Sequence, residues 1–87
     1  LQNHPNPFNA GTVIKYELPQ AGPVLVKIYN LAGQEILEIV NAVQQPGRYQ
    51  INWNGRDSRG QMAPSGVYIY KLLANGFEET KKMTFMK

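Results

Sequence analysis

The sequence contains no cysteine, and among its 87 residues there is a single histidine and a single tryptophan. Without cysteine there are no disulfides, no thiol nucleophile and no thiolate-bound zinc, and the redox compartment is left open. His4 has neither cysteine nor an acidic cluster beside it, so it reads as a solvated side chain rather than part of a zinc site or a triad. Charge is also sparse, at 17% of residues. The net charge of +3 comes from basic residues scattered along the chain, with Lys81-Lys82 the sole adjacent pair. A nucleic-acid partner needs a denser basic patch, and none is expected. No apolar run approaches the ~20 residues of a membrane span, so no membrane insertion is expected. No signal peptide is visible, and the first residue is Leu1 rather than Met. The expectation is a piece of a longer polypeptide, with any export signal lying upstream.

What the chain does have is turn residues and aromatics: eight Gly, six Pro, five Tyr and three Phe. The length suits one domain with a thin core, and abundant Tyr suits sheets, where the ring packs and the hydroxyl reaches the rim. Pro5 and Pro7 flank Asn6, so residues 1–11 read as an extended, semi-rigid lead-in ending in the turn Asn9-Ala10-Gly11. Residues 12–87 read as the folded domain.

Within it, Thr12 to Leu18 alternates, with Ile14, Tyr16 and Leu18 on one face. Val24, Val26 and Ile28 repeat the pattern after a Pro19–Pro23 turn, and Gly33 supplies a further turn. Glu35 to Ala42 is ambiguous: Ile36, Leu37, Ile39 and Val40 fit one face of a helix and also a strand covered on both sides. The β-branched content and neighbouring hairpins favour the strand. Tyr49, Ile51 and Trp53 share the next face, which reads as core, and Val67 to Ala74 is the strongest strand signal. Asn75-Gly76 calls for a type I′ hairpin into the last strand. Six strands, or seven, at regular spacing predict an all-β, antiparallel Ig-like or fibronectin-III-like sandwich.

Catalytic equipment is missing from this pattern. The carboxylates Glu17, Glu35, Glu38, Asp57, Glu78 and Glu79 fall on strand faces and turns, and a thin sandwich offers little cleft for a facing acid–base pair. The expectation is therefore no enzyme and no cofactor. Asn54, Asp57 and Ser58 in the 54–60 loop are oxygen donors suited to weak Ca²⁺ binding. One carboxylate among two arginines reads better as a turn closed by Asx hydrogen bonds. Tyr68 starts a strand after Ser65-Gly66, where a tyrosine-corner hydrogen bond to backbone is expected; the alternative is an exposed platform for sugar or a partner. Should an outer face carry Tyr29 with Leu25, that face is the better binding candidate.

In sequence order, Leu1-Gln2-Asn3-His4-Pro5-Asn6-Pro7-Phe8-Asn9 precedes Ile14-Lys15-Tyr16-Glu17-Leu18-Pro19 and Val26-Lys27-Ile28-Tyr29-Asn30 with Gly33. Trp53-Asn54-Gly55-Arg56-Asp57 with Gly60, Ser65-Gly66-Val67-Tyr68 and Lys82-Met83 follow. This order resembles the C-terminal sorting domain of the type IX secretion system, type A, and the related Ig-like domain of flagellar hook-capping proteins. The likeness covers nearly the whole chain, with Asn54 a departure from the Asp usual there. It implies a non-catalytic β-sandwich at the end of a secreted bacterial protein. Such a module directs passage across the outer membrane, with the product secreted or at the cell surface. The implied partners are the outer-membrane secretion machinery and an N-terminal cargo domain in the same chain. Hook-capping domains are embedded in a longer scaffold, which a chain ending just past its last strand does not resemble.

Recognition is then expected on the final hairpin, through Ser65, Gly66, Val67 and Tyr68, and through an apolar-basic tail of Lys82, Met83, Phe85 and Lys87. A translocon component would read that tail or pair with an edge strand. Edge strands also invite a homodimer. The alternatives are a structural Ig-like spacer, or a carbohydrate-binding module appended to a secreted hydrolase.

Overall fold

The computed structural model describes residues 11–86. Six strands follow one another: β1 (Thr12–Leu18), β2 (Gly22–Tyr29), β3 (Glu35–Gln44), β4 (Gly47–Trp53), β5 (Gly66–Ala74) and β6 (Phe77–Phe85). No helix occurs among the described residues. β1 pairs with β4 in a two-stranded sheet, and the other four form a sheet in the order β3-β2-β5-β6. Every pairing is antiparallel. The expected sandwich is therefore observed, with β2 starting earlier, at Gly22 inside the expected turn, and β3 running on to Gln44. The lead-in over residues 1–10, His4 within it, and Lys87 lie outside the described residues.

Alternation builds the core. Ile14, Tyr16 and Leu18 of β1 face Val24, Val26 and Ile28 of β2 and Tyr68, Tyr70, Leu72 and Ala74 of β5, all buried. Each interior strand thus turns every second side chain inward, as a pleated strand between core and solvent must. At one end three rings cluster. Trp53, 1% exposed, meets the edge of Tyr68 at 5.1 Å and a tilted Phe85 at 5.1 Å. Its indole N–H is not orphaned, because Nε1 donates to the Arg56 carbonyl at 2.9 Å.

β3 resolves the helix-or-strand ambiguity. Val26 pairs with Val40 but Lys27 with Glu38, and Ile28 pairs with Leu37 but Tyr29 with Glu35. Ile39 and Ile36 are the extra residues of two β-bulges. Each bulge breaks the period of two, so Ile36, Leu37, Ile39 and Val40 all pack against the core. A helical spacing has arisen from a twice-bulged strand.

The Asn75-Gly76 turn departs from expectation. A type I′ turn needs positive φ at both central residues, and among the described residues only glycines have it. Gly76 takes φ 86°, while Asn75 keeps negative φ and its Nδ2 donates to the Ala21 carbonyl at 2.8 Å. The side chain that was expected to tolerate a left-handed turn instead ties the β5–β6 hairpin to the start of β2.

Candidate functional site

The outer face of the four-stranded sheet carries an apolar ladder. Leu25 stands opposite Leu73 and Tyr29 opposite Ile69, with Lys27 opposite Lys71 between the two rows. These are the positions that alternate with buried Val24, Val26, Ile28, Tyr70 and Leu72, so their side chains lie on the face turned away from the core. All six are half-buried by their neighbours in the sheet, and Val67 extends the ladder with 41% of its surface exposed. Tyr29 and Leu25 thus share the face that the sequence reading singled out. Ile69, Lys71 and Leu73 were not singled out, because β5 is apolar at every position except Lys71. A strand read as apolar on both faces looks like a doubly covered one, and the missing cover is invisible in sequence.

The two lysines, side by side across the β2–β5 pairing, are each drawn outward to a carboxylate. Lys27 Nζ lies 3.0 Å from Glu35 Oε1, and Lys71 Nζ lies 3.4 Å from Glu78 Oε2. Lys71 also sits over the Tyr29 ring at 5.6 Å from its centroid. The hydrogen bond that Lys27 donates to Glu35, together with the charge of that carboxylate, holds the Lys27 ammonium above the ordinary lysine value. These are partly exposed pairs of small energetic weight. The face thus presents two apolar rows with a lysine pair between them, each lysine tied to a carboxylate.

The carboxylates expected on faces and turns are there. Glu17 pairs with Arg48 at 3.2 Å and Glu79 with Lys81 at 3.4 Å. Among the described residues no three His, Asp or Glu side chains converge as a metal site would require. In the 54–60 loop, Asp57 Oδ1 accepts the backbone N–H of Arg59 and of Gln61, both at 2.9 Å, and Asn54 Oδ1 accepts that of Arg56 at 3.1 Å. The loop is closed by Asx hydrogen bonds, and its two arginines remain on the surface with Arg56 reaching the Gly60 carbonyl.

The expected recognition residues do not share one surface. Tyr68 is buried, and its hydroxyl donates to the Pro64 carbonyl four residues back at 2.6 Å, the tyrosine-corner arrangement rather than an exposed platform. Met83 and Phe85 are core residues, 9% and 0% exposed. This corrects the expectation of an apolar-basic tail: period-two alternation in β6 points both inward, so a partner cannot read them without unfolding the strand. Val67 and Lys82 do face outward, Lys82 opposite Ile69 at the edge of the ladder. Ser65 and Gly66 lead into β5, with Ser65 exposed.

Among known protein families, residues 6–76 match the FlgD Ig-like domain. Among solved structures, the chain is similar to the crystal structure of FlgD from P. aeruginosa, with 24% identity and a TM-score of 0.63 over 87% of this chain. At that identity the likeness establishes the fold. The match covers 59% of the FlgD chain, so this sequence spans less than two thirds of that protein. No curated protein matches. These findings overturn the reading of the chain as a type IX sorting module that directs outer-membrane translocation and surface attachment, because the family matched is the hook-capping one, named from sequence as related and set aside. With the match running through most of its length and the sandwich present, the chain belongs to the FlgD Ig-like domain family.

Proposed function

We propose that the chain is the Ig-like module of a flagellar hook-capping scaffold, working in assembly by protein–protein contact and not by catalysis. The observation that carries this reading is the family match over residues 6–76. The apolar rows of Leu25 with Leu73 and Tyr29 with Ile69 support it, since apolar side chains left on the outer face of a sheet suit a protein partner.

The test is made in the organism that encodes the chain. Removing residues 12–86 is expected to abolish swimming and to leave cells without hooks. The double substitution Leu73→Asp and Ile69→Asp, which changes the outer face without touching the core, is expected to do the same while the protein still accumulates. Normal hooks after the deletion would overturn the reading. Loss of hooks after deletion but not after the double substitution would reduce the module to a spacer that holds neighbouring domains apart.

A further inference from the structure

The two sheets are unequal, two strands against four. β1 is the strand of the smaller sheet that approaches β6, and among the described residues its only hydrogen-bonded neighbour is β4. Its other edge therefore runs from Thr12 to Leu18 with no strand beside it among the described residues, and with no bulge to break it. β6 shows the consequence. Met83 and Phe85 on its inner side are buried, yet Phe77, Glu79 and Lys81, on the same alternation, are not. A cleft of about 780 Å³ lies there, lined by Lys15–Glu17 of β1, Arg48–Gln50 of β4, and Phe77–Glu79 with Lys81 of β6.

We infer that this cleft is a strand-docking site, in which an extended segment of a partner protein joins β1 as a third strand of the smaller sheet. Backbone N–H and C=O groups along a strand edge demand partners, and an extended main chain supplies them at the right repeat. The two edges of the larger sheet are guarded. β3 is bulged twice and its Ile36 carbonyl is taken by the Ser58 N–H at 3.0 Å. β6 is lined with Glu78, Glu79, Lys81 and Lys82, the charges that blunt an edge. β1 has an open edge that also borders a cleft, so an added strand would lay its inward side chains on Tyr16 and Phe77.

Charge fixes the occupant further. Of the carboxylates lining the cleft, Glu17 is engaged by Arg48, Glu79 by Lys81, and Glu78 by Lys71 from outside it. Lys15 makes no ion pair among the described residues. The charge left over at the cleft is positive, so the segment carries an acidic side chain on the face it shares with Lys15, and small β-branched residues on the face toward the core.

The probe is a capped heptapeptide, Thr-Val-Glu-Val-Thr-Val-Thr, titrated into the ¹⁵N-labelled chain. Saturable amide shifts are expected along β1 and at Phe77 and Lys81, with slowed hydrogen exchange at alternate β1 amides. Lys15→Glu is expected to weaken binding about fivefold, as is replacing the peptide's Glu by Lys, which needs no protein variant. Unchanged Trp53 fluorescence establishes that the variant is folded. Four outcomes overturn the inference: no shifts at about 1 mM peptide; shifts confined to the outer face of the four-stranded sheet; β1 amides all protected before peptide is added, which means the chain already fills its own cleft; or shifts that follow protein concentration alone, which means a second copy does.

Discussion

The ring of Phe85 occupies the space into which a Cβ on Gly55 would project. Gly55 has φ 87° and is buried, so two separate constraints fall on one residue. The left-handed backbone disfavours any side chain, and the aromatic cluster of Phe85, Trp53 and Tyr68 leaves no room for one. Gly33 has nearly the same φ, 86°, with nothing within reach of a Cβ. Gly33→Ala is therefore expected to cost about 1–2 kcal/mol from backbone strain alone. Gly55→Ala is expected to cost about 3–4 kcal/mol, the added part coming from overpacking against Phe85. Urea unfolding of the two variants checks this, and equal losses would show that the ring yields freely.

Tyr68 and Tyr70 are both buried inward-facing residues of β5, at 5% and 6% exposed, but among the described residues only Tyr68 has a hydroxyl hydrogen bond, to the Pro64 carbonyl. Replacing Tyr68 by Phe removes a bond that closes the loop before β5 and is expected to cost about 1 kcal/mol. Tyr70→Phe is expected to stay within about 0.5 kcal/mol of the parent. Thermal melts of the pair measure the worth of the corner hydrogen bond with ring packing held constant.

The strands were legible because their alternation was strict: Ile14, Tyr16 and Leu18, or Val24, Val26 and Ile28, announce an inner face without any help from the rest of the chain. β3 was legible only as an ambiguity, since a bulge leaves no mark except a broken period, and two bulges at Ile36 and Ile39 reproduce a helical one. The outer ladder was half legible. Tyr29 and Leu25 could be paired by parity within β2, but their partners Ile69 and Leu73 depend on the β2–β5 register, which is a long-range fact. The misreading of Met83 and Phe85 had a different origin. Their parity matched that of a buried face, yet their place near the end of the chain suggested a tail, and burial beside Trp53 decided the matter.

Asp57 and Asn30 perform the same local task in different loops. Each offers one side-chain oxygen to two backbone N–H groups, Asp57 to Arg59 and Gln61, Asn30 to Ala32 and Gln34. Because one oxygen suffices, Asp57→Asn is expected to leave stability within about 0.5 kcal/mol. Asp57→Ala strands two donors in an exposed loop and is expected to cost about 1 kcal/mol. A loss in Asn as large as that in Ala would mean the charge itself matters, and the Asx explanation of the loop would fail.

Three tyrosines give the fold a defined alkaline limit. Burial pushes the hydroxyls of Tyr16, Tyr68 and Tyr70 above the ordinary tyrosine value of 10.0. In Tyr16 the hydrogen bond to Gln44 opposes this without reversing it, and in Tyr70 the nearby Lys81 does the same. The folded state therefore binds these protons more tightly than the unfolded chain does. Their contribution to stability is complete below pH 10 and is lost as pH rises through the folded values, because the unfolded state sheds protons first. Lys27, held protonated by Glu35, acts in the same direction above its own ordinary value of 10.5. The melting temperature is expected to be flat from about pH 7 to 9 and to fall steeply beyond about pH 10, with tyrosinate absorbance at the buried rings appearing only as the protein unfolds. Tyr70→Phe removes one of the three titrating groups and is expected to make the alkaline fall shallower. A fall of unchanged steepness would remove Tyr70 from the account.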